Sequence, residues 1–184
     1  MMKTRKILKK TYTKDDYKSG DGMLTTVWGP GMWHFLHTMS FNYPVNPTRE
    51  QKINYRNFIL SLVNVLPCKY CRINLEKNLK ALPIKYSTME SRVTFSRYIY
   101  NLHEHVNKML KKESGLTYEM VRERYEHFRA RCTKAPVVPS QEKGCTESLY
   151  GEKAKCILRI VPQTKKCNTF QMDDKCIKKR ILIK

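Results

Sequence analysis

The sequence predicts an all-α protein: a four-helix bundle plus a short fifth helix, with a basic N-terminal tail and a cysteine-containing C-terminal tail. Three observations predict it: helical periodicity through residues 21–131, strand signals that are nearly absent there, and helix breakers that divide this stretch into segments. A length of 184 residues with 41% hydrophobic residues suits one modest core, which excludes a large multidomain enzyme.

The first helix is predicted over roughly residues 31–42. It follows the run Gly29-Pro30-Gly31 and ends before Tyr43-Pro44. The spacing i, i+3, i+4, i+7 places on one face Trp33, Leu36, His37 and Ser40.

A second helix is predicted from Thr48, whose spacing from Gln51 is that of a capping box, up to Pro67. Its apolar face consists of Phe58, Ile59, Leu62 and Val63. A third helix runs from about Lys69 to Leu79, and Pro83 ends it.

The longest helix is predicted from about Ser91 to Lys111. Its apolar stripe consists of Phe95, Tyr98, Ile99, Leu102, Val106 and Leu110. A fifth, shorter helix covers Tyr118 to Phe128, and the short connections between all five are typical of a helical bundle.

The formal net charge of +20 comes from 36 Lys and Arg against 16 Asp and Glu, and the two ends of the chain hold most of the excess. The first twenty residues lack apolar periodicity, and Pro and Gly recur after residue 132. We therefore predict a basic N-terminal tail at 1–20, a helical domain at 21–131 and a basic, cysteine-rich extension at 132–184.

No run of eighteen apolar residues occurs, and the basic start of the chain contains only a short apolar stretch. The sequence therefore predicts a soluble protein that neither enters a membrane nor is secreted by the usual route. Seven cysteines then need an explanation, because structural disulfides are rare where cellular thiols are kept reduced. They indicate either a metal site or redox chemistry.

The motif Cys68-Lys69-Tyr70-Cys71 is the expected chemical centre. Pro67 places Cys68 at the start of the third helix, where backbone amides and the helix dipole lower a thiol pKa. Two intervening residues let the sulfurs form a disulfide within one turn. Zinc would need two further ligands at paired spacing, whereas the other cysteines lie nine or more positions apart, so the spacing favours redox chemistry and no metal site is predicted.

Two residue pairs at i, i+4 suit a slot for a flat ring. They are Trp33 with His37 and His103 with Asn107, with Tyr100 and Val106 beside the second pair. For any single aromatic residue a place in the core is the commoner outcome, and a lone histidine is more often a buried imidazole than a ligand. The coincidence of both pairs with the CxxC motif favours the functional interpretation.

Three segments resemble, in order and spacing, the signatures of the Erv/ALR FAD-linked sulfhydryl oxidases, over roughly residues 24–130. They are WGPGMWHFLHTM at 28–39, LPCKYC at 66–71 and LHEHVNKML at 102–110. The sequence departs from the family pattern at Glu104, where Asn is usual, and at Tyr125, where Trp is frequent. Neither departure removes a redox atom, and both would alter contacts with the flavin.

The resemblance implies a five-helix FAD-binding domain, usually a homodimer, that oxidises thiols and reduces O2 to H2O2. Cys68 would exchange disulfides with the substrate, and Cys71 would face the flavin ring. The FAD site would comprise Gly29, Trp33, His37, Tyr43, Tyr100, His103, Val106, Asn107, Lys112, Arg124 and Tyr125. Basic residues suit a cofactor that contains a pyrophosphate.

Family members commonly carry a shuttle cysteine pair outside the helical core. The candidates for shuttle or structural cysteines are Cys132, Cys145, Cys156, Cys167 and Cys176, an odd number, so at least one is free or bonded to another chain. A structural staple without a relay role is an equal alternative. Residues 144–151, with Cys156 and Cys167, resemble the tails of family members encoded by large cytoplasmic DNA viruses.

The resemblance also implies the partners: a thiol-containing protein substrate or a thioredoxin-like relay protein, and O2 as electron acceptor. A viral member would act in the host cytoplasm or be packaged in the virion. Two alternatives lack enzymatic activity, a basic nucleic-acid-binding module and a zinc-stabilised helical module. Charge alone predicts only salt-sensitive, nonspecific affinity for nucleic acid, and no recognition motif is present, so nucleic acid is not an expected partner.

Overall fold

The computed structural model describes residues 13–133, 144–167 and 171–176. The α-helices in these ranges are α1 Lys14–Lys18, α2 Thr25–Phe41, α3 Arg49–Val65, α4 Lys69–Ala81, α5 Arg92–Met109 and α6 Tyr118–Glu126. Two strands, β1 Ala130–Thr133 and β2 Gly144–Ser148, pair antiparallel. The predicted bundle is confirmed, with α2 to α5 as the four longer helices and α6 as the short fifth. In the described ranges, no helix combines the length and the apolar character that a membrane span requires.

Side-chain caps fix where three of the bundle helices begin. The hydroxyl of Thr48 accepts from the N–H of Gln51, and the Gln51 side chain accepts from the N–H of Thr48, which confirms the predicted capping box at α3. Ser91 and Thr94 form an equivalent box at α5, and Thr117 caps α6. These local signals explain why the predicted starts of these helices agree with the observed ones.

The predicted start of the first helix is wrong. Helix α2 begins at Thr25 and not near residue 31, so that the run Gly29-Pro30-Gly31 lies inside the helix. No side chain caps α2; instead the N–H of Met23 donates to the carbonyl of Pro67 at 2.6 Å and holds the chain just before the helix. Proline is usually found in the first turn of a helix, so the sequence alone places the start close to Pro30. The tertiary contact with Pro67 moves the start of α2 to Thr25, five residues earlier.

The main core lies among α2, α3, α4 and α5. Its buried side chains are Leu36, Tyr43, Ile59, Leu62, Leu75, Ile84, Met89, Phe95, Ile99 and Leu102. A second cluster of Phe41, Tyr118 and Val121 joins α2 to α6, with Tyr100 and Tyr125 packed against it. The two clusters together set the position of α6 beside the α2–α5 pair.

Two tyrosines that the sequence assigns to a pocket link elements of the fold. The side chain of Tyr43 is fully buried, and its hydroxyl donates to the carbonyl of Met89 at 2.8 Å. The hydroxyl of Tyr100 donates to the carbonyl of Leu116 at 2.7 Å, in the connection between α5 and α6. Both hydroxyls therefore satisfy backbone carbonyls.

The hairpin of β1 and β2 follows α6 directly. The N–H of Leu149, just after β2, donates to the carbonyl of Arg129 at 2.9 Å, and the guanidinium of Arg129 donates to the carbonyl of Phe41 at 3.0 Å. These bonds attach the root of the C-terminal extension to the end of α2. The domain division after residue 131 stays a prediction, and β1 includes that position.

Replacing Tyr43 by Phe should lower the free energy of unfolding by about 1–3 kcal/mol, because the buried carbonyl of Met89 loses its donor while the ring packing is kept. Urea unfolding followed by circular dichroism measures this loss. Tyr17→Phe is the matched control: Tyr17 is 90% exposed, so its change should stay within about 0.5 kcal/mol. Equal losses in both variants would contradict the assigned role.

Candidate functional site

One row of side chains along α2 contributes to every part of the candidate site. It consists of Thr25, Gly29, Trp33, His37 and Phe41, which follow one another at intervals of four residues. At the helical rise of about 1.5 Å per residue, the row extends over about 24 Å. Within the described chain, a Cβ at Gly29 would meet only a methyl group of Thr25, at 3.6 Å, so the row is open at this position.

Two imidazoles join α2 to α5. The Nε2 atom of His37 lies 2.9 Å from the Nδ1 atom of His103, and the indole of Trp33 stacks on His103 with centroids 4.0 Å apart and planes 7° apart. The other nitrogen of His37, Nδ1, is buried and has no hydrogen-bond partner among the described residues. Whichever nitrogen carries the shared proton, a bound polar ring would satisfy this atom.

Both imidazoles are neutral at physiological pH. Burial, and then the charges of His103 and His34, lower the pKa of His37 to about 3. Burial also lowers the pKa of His103 to about 4, against the opposing effect of Glu104. A neutral imidazole has one donor and one acceptor nitrogen, which suits recognition of an uncharged heterocycle.

Helix α6 supplies an aromatic wall beside the imidazole pair. The ring centroid of Tyr125 lies 5.3 Å from those of both His37 and Phe41, and its hydroxyl lies 3.3 Å from Nδ1 of His34. Phe128 meets Tyr125 edge-on at 5.7 Å. Burial raises the pKa of Tyr125 to about 12, so its hydroxyl remains protonated and can donate.

In the second predicted pair, His103 and Asn107, the amide of Asn107 is hydrogen-bonded to a carboxylate. The amide nitrogen Nδ2 of Asn107 donates to Oε1 of Glu104 at 2.9 Å, on the same helix as His103. Glu104, which departs from the family pattern, therefore orients the amide of Asn107. Val106 is half-buried next to it in α5.

Two predicted basic residues border the cluster. Lys112 follows α5, its N–H donates to the carbonyl of Asn107 at 2.9 Å, and its charge lowers the pKa of His103. Arg124 precedes Tyr125 in α6, and its charge acts to lower the pKa of the Tyr125 hydroxyl. The cluster therefore has positive charge at its edge.

The two cysteines of the CxxC motif lie at the start of α4. The sulfur of Cys68 caps this helix and accepts from the N–H of Cys71 at 3.3 Å, while the sulfur of Cys71 lies 3.6 Å from the hydroxyl of Thr25. Hydrogen bonding from Cys71 lowers the pKa of Cys68, whereas burial and the bond to Cys68 raise the pKa of Cys71. Cys68 is therefore the thiol that ionises first.

The row on α2 connects these two parts of the site. Thr25 touches Cys71 and Trp33 touches His103, and the two row residues are about 12 Å apart along the helix. Tyr43 lies outside this arrangement, since its ring contacts Tyr55 and Phe95 in the main core. Tyr100 packs against the second core cluster, which includes Phe41 at the end of the row.

Sequence reasoning missed Thr25, His34 and Phe41. Thr25 and Phe41 continue the interval of four residues on either side of Gly29 and His37, so a signal was present. The predicted helix start near residue 31 concealed it at Thr25. His34 has no comparable signal, because its contact with Tyr125 depends on how α6 packs.

The cysteines of the C-terminal extension are of two kinds. Cys145, in β2, is disulfide-bonded. The thiols of Cys156 and Cys167 are free and exposed, and that of Cys176 is free and half-buried. The side chain of Cys132 lies outside the described residues. Within the described ranges, no group of three or more His, Cys, Asp or Glu is arranged to hold a metal ion.

Comparison with known proteins assigns the helical domain of this chain to one family. Residues 30–126 match the Erv1 / Alr family. The probable FAD-linked sulfhydryl oxidase R368 of Acanthamoeba polyphaga mimivirus is 37% identical over 91 residues, which cover 50% of this chain and 63% of that protein. The mitochondrial FAD-linked sulfhydryl oxidase ERV1 of Saccharomyces cerevisiae is 31% identical over 84 residues, covering 46% of this chain and 43% of that protein.

A solved structure agrees with the fold. The crystal structure of the FAD-binding domain of Erv1 from Saccharomyces cerevisiae has 27% sequence identity and a TM-score of 0.51, covering 56% of this chain and 94% of that one. This chain spans less than two thirds of the length of either of the two curated relatives. The similarity therefore concerns the helical domain.

Acidification should destabilise the protein through His37 and His103. Both are neutral in the folded state down to about pH 4, whereas in the unfolded chain their pKa is near 6.5, so the unfolded chain binds more protons below pH 6.5. Their contribution is complete above pH 6.5 and is lost towards pH 4, by up to about 1.4 kcal/mol per pH unit for each imidazole. Urea unfolding at a series of pH values measures this slope.

His103→Gln should remove about half of the slope, since one of the two titrating imidazoles is gone. His105→Gln, which leaves the pair intact, is the control and should keep the slope. Because slopes are compared, a uniform loss of stability in either variant does not affect the result. An unchanged slope in His103→Gln would show that the buried imidazole is not responsible.

Proposed function

This chain belongs to the Erv1/Alr family, and from that membership we infer that it is an FAD-dependent thiol oxidase that forms disulfides in protein substrates. One observation supports this function most strongly. A single face of α2 touches both the redox cysteine pair, through Thr25 and Cys71, and the stacked rings of Trp33 and His103. A pair of cysteines that can form an exchangeable disulfide and a cluster of stacked rings on one helix face are what such an enzyme requires.

The residues present fit FAD. Gly29 places no side chain between Thr25 and Trp33, and the buried Nδ1 of His37, which has no partner among the described residues, offers a polar contact to a heterocycle. Lys112 and Arg124 suit the pyrophosphate. The proposed FAD contacts are Gly29, Trp33, His37, His103, Val106, Asn107, Lys112, Arg124 and Tyr125, with Tyr43 and Tyr100 supporting them from the core. Bound FAD would take the electron pair of the dithiol and pass it to O2, giving H2O2.

The chain's own cysteines carry out the exchange chemistry. A substrate thiolate attacks the sulfur of Cys68, a disulfide forms between substrate and Cys68, the Cys68–Cys71 bond breaks, and Cys71 leaves with the electron pair as a thiolate. A second substrate thiolate then attacks the first substrate sulfur and displaces Cys68 as a thiolate. Cys68 suits this role because its position at the start of α4 and the bond from Cys71 lower its pKa.

The electron donor and acceptor follow from this chemistry, and the homodimer follows from the family membership. We propose a thiol-containing protein or a thioredoxin-like relay protein as the electron donor, O2 as the acceptor, and a homodimer as the functional unit. Similarity to a mimivirus protein supports a viral origin, with action in the host cytoplasm or in the virion. The family match gives no support to a nucleic-acid-binding or zinc-stabilised module.

We further propose that the C-terminal extension relays electrons to Cys68. Cys156, Cys167 and Cys176 are the candidates, because their thiols are free in the structure. Cys145 is disulfide-bonded and lies in the hairpin that attaches the extension to α2, which supports a structural role for it. A segment fixed at its root and carrying free thiols beyond is suited to a relay.

Purified full-length protein should carry stoichiometric FAD and consume O2 when supplied with a small dithiol. Cys71→Ser should retain the yellow flavin absorbance and lose thiol oxidation, because the exchange step then has no leaving thiolate. The absorbance spectrum and an oxygen electrode measure the two properties. Cys167→Ser, which leaves the CxxC motif intact, is the control and should oxidise the small dithiol normally. A colourless protein, or undiminished turnover in Cys71→Ser, would contradict the proposal.

Replacing Cys156, Cys167 and Cys176 together by Ser should slow the oxidation of a protein dithiol and leave that of a small dithiol unchanged. A tethered thiol has an effective concentration of roughly millimolar near Cys68, an advantage that a small dithiol does not need. Initial rates with both substrates give the ratio of protein-dithiol oxidation to small-dithiol oxidation. A thermal melting curve tests whether the three cysteines stabilise the fold. Equal effects on both substrates together with a lower melting temperature would show that these cysteines are structural.

A further inference from the structure

Residues 21–25, which we call the strap, connect the start of α2 to the redox pair. Three backbone contacts hold the strap: Lys69 N–H to Asp21 O at 3.0 Å, Met23 N–H to Pro67 O at 2.6 Å, and a bridge between Gly22 and Cys68. All three lie within one residue of Cys68. The strap is therefore part of the surroundings of the exchange sulfur.

The centre of the strap requires glycine. Gly22 has a φ of +108°, and a Cβ on it would lie 2.4 Å from the carbonyl oxygen of Pro67 and 2.8 Å from Cα of Cys68. Gly20 differs in both respects, since its φ is not positive and a Cβ there would meet no described atom within 4 Å. The close approach at Gly22 fixes where the following residues enter α2.

Thr25 is the residue through which the strap reaches the second sulfur. Its Oγ1 atom lies 3.6 Å from Sγ of Cys71, within hydrogen-bond range for sulfur. Thr25 is also the first residue of α2, so the strap on one side and the helix on the other fix its position. The neighbouring Thr26 is exposed, as Thr25 is, but its position on the helix is rotated by about 100° and points its side chain away from Cys71.

We propose that Thr25 is a positioning residue of the exchange reaction, whose hydroxyl donates a hydrogen bond to the Cys71 thiolate while substrate is bound to Cys68. This rests on the proposed function, in which substrate enters at Cys68. As the substrate sulfur bonds to Cys68, the bond to Cys71 breaks and the electron pair stays on Cys71. The hydroxyl stabilises that charge and transfers no proton.

The surroundings of Cys71 explain why this bond matters in the mixed disulfide. In the reduced pair, burial and Cys68 raise the pKa of Cys71, while Thr25 and the charge of Arg72 lower it. Once Cys68 is bonded to substrate it is neutral and no longer competes for the proton. The hydroxyl of Thr25, which also lowers the pKa of Cys68 in the reduced pair, and the charge of Arg72 then oppose the effect of burial on Cys71. The guanidinium of Arg72 is already engaged with the carbonyl of Leu66 at 2.6 Å.

The test measures the pKa of Cys71 in full-length protein carrying Cys68→Ser, which keeps position 68 neutral as in the mixed disulfide. The rate of iodoacetamide alkylation at Cys71 is followed against pH and resolved from the other cysteines by peptide mass spectrometry. Thr25→Val should raise the midpoint by about half to one pH unit, which is roughly threefold to tenfold less thiolate at neutral pH. Thr25→Ser, which keeps the hydroxyl, should restore the midpoint, and Thr26→Val should not move it.

A second pair of variants tests the strap without touching the hydroxyl. Gly22→Ala should raise the same midpoint, because the added Cβ pushes the strap and Thr25 away from α4. Gly20→Ala, where a Cβ meets open space, should leave it unchanged. Because Gly22→Ala keeps the hydroxyl of Thr25 and changes only where it lies, this comparison tests whether the midpoint of Cys71 depends on the position of that hydroxyl.

Superimposable midpoints for Thr25→Val and Thr26→Val, or a failure of Thr25→Ser to restore the midpoint, would overturn the proposal. The readout needs neither flavin nor O2, so it is independent of thiol oxidation. A protein that oxidises thiols but shows no midpoint shift would overturn the role of Thr25 alone. A midpoint shift in a protein that oxidises no thiol would support the Thr25 contact and count against the exchange chemistry.

Discussion

The contact of Trp33 and His37 with His103 is the interaction on which the site depends. It joins α2 to α5 through a hydrogen bond and a parallel stack. Such a contact is stable in a buried place only if the imidazoles are uncharged, and burial itself keeps them so. Tyr125 packs against His37, so α6 is in contact with one member of the imidazole pair.

Helix α2 carries the site against its own intrinsic preferences. In a helix interior, glycine costs roughly 1 kcal/mol and proline about 3 kcal/mol relative to alanine. Gly29, Pro30 and Gly31 stand together in this helix, and no side chain caps its start. Packing against α5 and α6 and the bonds before Thr25 must offset these costs. Gly29 leaves the row on α2 without a side chain at the position between Thr25, which contacts Cys71, and Trp33, which stacks on His103.

Much of the fold could be predicted because its signals are local. Thr48, Ser91 and Pro67 mark helix ends through bonds or exclusions that involve only near neighbours in the chain. The start of α2 could not be predicted, since it depends on Pro67, which is distant in sequence. The β1–β2 hairpin was not predicted either, because its strands are short and separated by a long connection. For the site, the spacing of Trp33 and His37 was informative, whereas the burial of Tyr43 followed only from packing.

The use of a cysteine as a helix cap links redox state to local dynamics. Among the described helices, α4 is the one whose first turn is capped by sulfur, through the N–H of Cys71. A thiolate is a strong acceptor, and a sulfur bonded to another sulfur is a weak one. Oxidation therefore weakens the cap and at the same time joins the two ends of the first turn of α4 covalently, so the stability of this turn depends on the redox state of the pair.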